Sequence, residues 1–182
     1  MQKNSTYNKI RDILDLASDG TDGINSLAQA IQETPRSFVY YRSDSDGEVR
    51  EHPCKLSTIR RKIRFCIDLG LINDEETCAL TRLGRDALDQ DRYSLVLQQA
   101  VLRYLEKNDV PWSRIESAIR ELDYPSPRRL YVQVSPPLVE RMFRTCLFLL
   151  SQCGADIGQN LLEGHVMKLY LTEQEAERIR GA

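Results

Sequence analysis

The sequence predicts an α+β fold that is mostly helical. Apolar residues recur at helical spacing through most of the 182 residues. Short runs rich in aromatic and β-branched residues interrupt this pattern, and they flank turn residues as hairpin strands do. Apolar residues make up 41% of the chain and charged residues 29%, which is the balance of a globular protein with room for one mid-sized domain or two small ones.

The first half of the chain predicts two helices, a hairpin and a third helix. Helical spacing runs through "YNKIRDILDLAS" and again through "INSLAQAIQ". "FVYYRSDSDGEVREH" places strand-forming residues around an Asp-Gly turn. The third helix covers residues 56–70, with Ser57 or Thr58 as the N-cap and Gly70 as the stop. "LINDEETCALT" then predicts two short strands around an acidic turn at 71–81, and "RLGRDAL" opens another helix.

The second half predicts the same order of elements. "YSLVLQQAVLRYLEKN" and "PWSRIESAIREL" are helices, and "RRLYVQV" has the composition of a strand. A long third helix covers residues 136–153 and stops at Gly154, as the first third helix stops at a glycine. Residues 165–172 predict a final strand, and a short helix follows at the C-terminus.

This repetition indicates two copies of one unit. A period of about 90 residues is too long for a solenoid repeat, so it predicts a tandem pair of domains. We expect the domains to cover residues 1–90 and 91–182 and to join near residues 86–94 with almost no flexible linker.

The third helix of the first half carries a cluster of cations. At about 100° per residue, its apolar residues form one stripe, which we expect to face the core. The stripe consists of Leu56, Ile59, Ile63, Cys66 and Ile67. Three arginines, Arg60, Arg61 and Arg64, lie on the adjoining flank, and Lys62 lies beyond the stripe. Since no acidic residue occurs between Glu51 and Asp68, packing explains the stripe and leaves the cations unexplained.

The segment "CIDLGLINDEETCALTRLGRDAL" resembles the end of a winged-helix domain, the helix-turn-helix variant with a β-hairpin wing. A helix ends in Leu-Gly-Leu-Ile, a polar tip follows, and Leu-Thr-x-x-Gly-Arg-x-Ala-Leu leads into the next helix. The pattern is common in bacterial regulators and in DNA-recognition modules of restriction systems. The resemblance implies a winged-helix domain at 1–90, with 56–70 as its third helix and 71–81 as its wing. Residues 91–182 resemble the family by element order alone, because "LTEQEAERIR" replaces the typical tail.

Double-stranded DNA is the partner that this resemblance implies. The third helix of a winged-helix domain usually enters the major groove, where guanidinium groups can contact phosphates or guanine edges. We therefore expect a non-catalytic DNA-binding protein, either a regulator or the DNA-recognition subunit of a larger bacterial-type system. The candidate contacts in the first half are Lys55, Ser57, Thr58, Arg60, Arg61, Lys62 and Arg64, and those in the second half are Arg128, Arg129, Arg141 and Arg144.

The cation cluster is also compatible with two roles that do not involve DNA. The cations can form a solvated face that pairs with Glu51, Asp68 or the acidic turn. Tandem winged helices also occur in kleisin-binding subunits of chromosome-organising complexes, which mainly grip protein, so a protein-interaction adaptor is the alternative function. The formal net charge of −2 favours the adaptor, and the cluster at 60–64 favours DNA.

The predicted helix at 136–153 has an unusually wide apolar arc. We expect self-association or binding of a protein subunit through its large apolar residues, because exposed patches of this kind mark interfaces. The interface candidates are Leu138, Phe143, Leu147 and Phe148.

Enzymatic motifs are absent from the sequence. It contains no Gly-rich phosphate loop, GxSxG or HExxH, and no Glu-x-Lys of the kind found in metal-dependent nucleases. His52, Cys54 and Cys78 lack the paired spacing of a zinc site, and "DSDGE" at 44–48 is an incomplete calcium loop. We expect no catalytic activity, no metal and no cofactor.

The cysteines and the absence of long apolar runs indicate the compartment. Five cysteines without a CxxC pair favour reduced, mostly inaccessible thiols. No stretch approaches the ~20 apolar residues of a membrane span, and the N-terminal residues lack a signal-peptide core. We expect a cytoplasmic protein that does not cross a membrane.

Overall fold

The computed structural model describes residues 5–20, 22–43, 49–122 and 126–154. It is α+β and mostly helical, with one two-stranded antiparallel sheet, and this confirms the predicted class. The elements in chain order are α1 (Thr6–Ser18), α2 (Gly23–Glu33), β1 (Val39–Ser43), β2 (Val49–Pro53), α3 (Leu56–Asp68), α4 (Arg82–Asp86), α5 (Tyr93–Lys107), α6 (Trp112–Glu121), α7 (Pro127–Val134) and α8 (Glu140–Gln152).

The chain divides into two compact units, residues 1–104 and 105–182. The division falls inside α5, about ten residues beyond the predicted join. The buried ring of Tyr93 explains why the start of α5 belongs to the first unit. Its hydroxyl donates to the Tyr7 carbonyl at 2.6 Å, and the two rings meet edge to face with centroids 4.7 Å apart.

The first unit has a core of three helices. Helices α1, α2 and α3 pack against one another, and α1 also contacts α4. Each contributes an apolar stripe at helical spacing, as an amphipathic helix does. The fully buried members are Ile10, Ile13 and Leu14 on α1, Leu27, Ala28 and Ile31 on α2, and Ile59, Ile63 and Cys66 on α3.

The hairpin predicted before the third helix is confirmed. Strands β1 and β2 pair antiparallel, with Tyr40 opposite His52 and Arg42 opposite Arg50, while the turn at 44–48 lies outside the described residues. The base of the hairpin is fixed to the core. Cys54 donates its backbone N–H to the Phe38 carbonyl at 2.8 Å, and both residues are buried.

The predicted wing at 71–81 is smaller than expected. One antiparallel bridge, Ile72 to Leu80, replaces the two predicted strands. The side chain of Asp74 accepts hydrogen bonds from the next residues of the loop and holds a tight turn. Cys78 then adopts a left-handed φ of 49°, which interrupts the extended backbone a second strand would need.

The predicted strand at "RRLYVQV" is wrong, because this segment is the helix α7. Ser126 caps it by accepting the Arg129 backbone N–H at 3.2 Å, and Pro127 occupies the first helical position. Leu130 and Val134, four residues apart, are both buried. The described part of the second unit therefore contains helices only.

The third helix of the second unit starts later than predicted, at Glu140 rather than residue 136. Val139 has extended backbone (φ −65°, ψ 143°) and occupies the N-cap, so Pro136 and Pro137 lie before the helix. The predicted glycine stops are confirmed, since Gly70 and Gly154 have φ values of 70° and 83° after α3 and α8. The strand predicted at 165–172 and the C-terminal helix lie outside the described residues.

Candidate nucleic-acid interface

The outer face of α3 presents a row of polar side chains. Ser57, Arg61 and Arg64 are spaced by four and three residues, so they lie on one side of the helix, and all three are exposed. Lys55 is also exposed and occupies the N-cap position, for which the sequence predicts Ser57 or Thr58. Lys55 and Arg61 have no acidic partner among the residues that the structure describes.

The inner face of α3 is wider than the predicted stripe. Phe65 is buried and packs edge to face on Tyr104, with ring centroids 5.8 Å apart, although the helical wheel places it off the stripe. Leu56 and Ile67, which the wheel places on the stripe, are only half-buried. The wheel misses Phe65 because its partner comes from α5, which the sequence assigns to the other domain.

Lys62 lies between the buried positions of α3 and not on its outer face. Its Nζ donates to Thr6 Oγ1 of α1 at 3.0 Å, and its side chain is half-buried. This cation therefore belongs to the contact between α1 and α3. Its role as a predicted DNA contact is not supported by this position.

Arg60 and Thr58 flank the outer face and are half-buried. The Nε of Arg60 is buried and has no hydrogen-bond partner in the part of the chain that the structure describes. The cations predicted as one cluster thus occupy three different environments: the outer face, its flank and the packed side.

Arg64 pairs with Glu75 of the acidic turn, residues 74–77. This pairing is the one expected if the cations form a solvated face. Its Nε donates to Glu75 Oε1 at 2.7 Å and its Nη2 to Glu75 Oε2 at 3.2 Å. This fork raises the pKa of Arg64 and lowers the pKa of Glu75, in both cases first through the side-chain hydrogen bond. The side chains are 56% and 47% exposed, so the pair is a surface contact open to exchange.

The candidate cations of the second unit lie on two packed helices. Arg128 and Arg129 are exposed in the first turn of α7, and Arg141 and Arg144 are exposed on α8. Arg144 forms an ion pair with Glu140, which lies one helical turn earlier, with 3.6 Å between Nη1 and Oε1. These cations are accessible, and part of their charge is balanced locally.

The predicted apolar interface of the second unit is mostly core. Phe143 and Leu147 are buried, and Leu138 is only 9% exposed. The ring of Tyr131 on α7 lies 5.8 Å from that of Phe143, so the helix that replaces the predicted strand covers the arc. Phe148 alone among the four candidates is exposed, at 40%.

The five cysteines are free thiols, and all except Cys153 are buried. Burial raises the pKa of Cys66 to about 12, which suppresses its thiolate. No group of three His, Cys, Asp or Glu side chains in the described ranges is placed to hold a metal ion. Within those ranges, no helix has the length and apolar character needed to cross a membrane.

Comparison with known proteins gave no similarity on which to base a function. No family model, no curated protein and no solved structure matches the chain. The geometry of α3 and its surroundings is therefore the basis of the functional assignment.

Proposed function

We propose that this protein is a non-catalytic, double-stranded DNA-binding protein that contacts the duplex through the outer face of α3. The observation that carries the proposal is the row of Ser57, Arg61 and Arg64 on the exposed side of a helix whose other side is buried. An α-helix fits the major groove, and arginine is the most frequent side chain to contact guanine edges and phosphates there. The role would be that of a regulator or a DNA-recognition subunit of a bacterial-type system.

The surroundings of α3 support a winged-helix-like first unit. Two helices precede the candidate recognition helix and pack against it, as in helix-turn-helix domains, but the β1–β2 hairpin replaces the short turn that joins the last two helices of that motif. The Leu-Thr-x-x-Gly segment forms the start of α4, where Thr81 Oγ1 accepts the Gly84 backbone N–H at 3.0 Å. In this proposal the bridge at Ile72 and Leu80 is a reduced wing. The exposed Arg128, Arg129, Arg141 and Arg144 of the second unit stay candidates for additional phosphate contacts.

The ion pair between Arg64 and Glu75 is compatible with DNA binding. Exposed pairs of this kind contribute little to stability and weaken in salt. A duplex presents a much denser row of negative charge than one carboxylate does. Arg64 can therefore exchange its partner for a phosphate, while Arg61 needs no exchange.

The test is fluorescence anisotropy with a random-sequence labelled duplex, comparing the parent with Arg61→Gln and Arg103→Gln. Both variants remove one exposed positive charge, but Arg103 lies on α5. We expect Arg61→Gln to weaken binding by roughly eightfold at 0.1 M salt, the effect of one phosphate contact, and Arg103→Gln to bind as the parent does.

A parent protein that does not bind duplex DNA would overturn the proposal, as would equal reductions of affinity in the two variants. The adaptor alternative predicts the first of these outcomes. Equal reductions would show that net charge, and not the outer face of α3, governs the association.

A further inference from the structure

The acidic turn, residues 74–77, is closed by its own side chains. Asp74 Oδ1 accepts the backbone N–H groups of Glu76 at 3.0 Å and Thr77 at 2.8 Å, and also the Thr77 hydroxyl at 3.0 Å. Hydrogen bonds from Thr77 are the main reason why the pKa of Asp74 is lowered. None of these bonds involves Arg64, so the turn has its shape independently of the cation it faces.

The acidic turn is also fixed to the start of α2. The Ile24 backbone N–H donates to the Glu75 carbonyl at 2.8 Å. Gly23 lies so close to the turn that a Cβ there would be 2.8 Å from the Glu76 carbonyl oxygen. The backbone of Glu75 is therefore held in place by a neighbouring helix.

This fixed backbone places the Glu75 carboxylate next to Arg64. The two carboxylate oxygens meet two nitrogens of one guanidinium group at 2.7 and 3.2 Å. Two phosphate oxygens bind a guanidinium in the same parallel arrangement. The carboxylate thus occupies the place on Arg64 that a phosphate group would take.

We propose that Glu75 is an intramolecular competitor for DNA, which limits affinity by occupying Arg64 in the free protein. The inference rests on the proposed function, since it concerns the same face of α3. It assigns a regulatory role to the acidic turn: a ligand must carry enough phosphate density to displace a carboxylate that is already in position. Duplex DNA meets this condition, and isolated anions do not.

The test compares Glu75→Gln with Glu76→Gln in the anisotropy assay at fixed salt. Both variants remove one exposed negative charge from the acidic turn, and only the first removes the partner of Arg64. We expect Glu75→Gln to raise the affinity for duplex DNA by up to roughly fivefold at 0.1 M salt, because DNA no longer has to displace the carboxylate of an exposed ion pair. Glu76→Gln should have a much smaller effect. When Arg64 is already replaced by Gln, Glu75→Gln should raise the affinity for DNA no more than Glu76→Gln does.

Equal gains in the two variants, or a gain from Glu75→Gln that persists without Arg64, would overturn this inference and leave DNA binding by α3 intact. A parent that does not bind DNA would overturn the proposed function and the inference together. If Glu75→Gln does not fold, Glu75→Asp serves instead. Its carboxylate is one methylene shorter and cannot hold the same fork, so affinity should again rise.

Discussion

Asp74 shows how one side chain can set the geometry of the surface that we propose to bind DNA. Its carboxylate closes the acidic turn that places Glu75 beside Arg64. The run of acidic residues predicts the turn, and the sequence offers this turn as one of three possible partners for the cations of α3. It does not indicate which cation pairs with Glu75. Arg64 lies eleven residues before Glu75, and only the fold brings the two side chains together.

The lowered pKa of Asp74 predicts a dependence of stability on pH. The folded turn binds the proton less tightly than the unfolded chain does, so the carboxylate stabilises the fold fully above about pH 3.9, the usual aspartate value. This contribution disappears as pH falls through the lowered pKa. We expect Asp74→Asn to be less stable than the parent at pH 7 and the difference to shrink as the pH is lowered to 3, measured by urea unfolding. A difference that is constant across this range would contradict the assignment.

The individual cations of α3 show the limit of a helical wheel. The wheel places Arg61 and Arg64 outside the core correctly. It gives no indication that Lys62 bonds to Thr6 or that Phe65 packs on Tyr104, because these partners come from distant parts of the sequence. A wheel orders the positions around one helix, whereas the width of the buried face depends on how many neighbours surround it.

At the scale of elements, the helices with strong apolar periodicity were predictable, and the strands only in part. The hairpin β1–β2 was predictable from its turn and its aromatic residues. The same kind of composition suggests a strand at "LYVQV", where capping by Ser126 and the burial of Leu130 and Val134 favour a helix. Local β-propensity is weak compared with such packing, so a short apolar segment can form either element.

The contact between α4 and the segment around the Ile72–Leu80 bridge gives a prediction for Gly84. A Cβ on this residue would lie 2.0 Å from the Leu71 carbonyl oxygen and 3.3 Å from Leu80. We expect Gly84→Ala to lower the free energy of unfolding by roughly 1–3 kcal/mol, because α4 must move away from the bridge. Arg82→Ala, on the exposed side of the same helix, should have little effect in urea unfolding. Equal stabilities for the parent and Gly84→Ala would contradict the close approach.

The whole molecule has a small negative net charge, and the positive charges relevant to the proposed DNA binding are clustered on α3. With a formal net charge of −2, the protein gains little attraction to DNA at long range. The proposed binding must therefore depend on the few cations that reach the phosphates, and we expect it to respond strongly to salt and to single substitutions on α3.

The prediction of two units depends on a repeated order of elements, which the described residues do not show, because α7 lies where the second half needs a strand. The chain does divide into two units, but at a boundary that the sequence does not indicate. The division within α5 depends on the burial of Tyr93 beside Tyr7, which lies 86 residues away in the sequence. In the second unit, the cover over Phe143 comes from a helix that the sequence did not predict.

The most direct test of DNA binding through α3 is the salt dependence of duplex binding. It compares the parent with the double variant Arg61→Glu/Arg64→Glu. Both side chains are exposed, and circular dichroism should show an unchanged fold. Reversal of Arg61 should cost within roughly 0.5 kcal/mol of stability, while reversal of Arg64 also breaks the exposed ion pair with Glu75. For the parent we predict a steep fall of log affinity with log salt. The variant should bind much more weakly, with a slope shallower by about 0.9 for each phosphate that the protein no longer neutralises. A parent insensitive to salt, or a folded variant that binds with the parent's affinity and slope, would contradict DNA binding through α3.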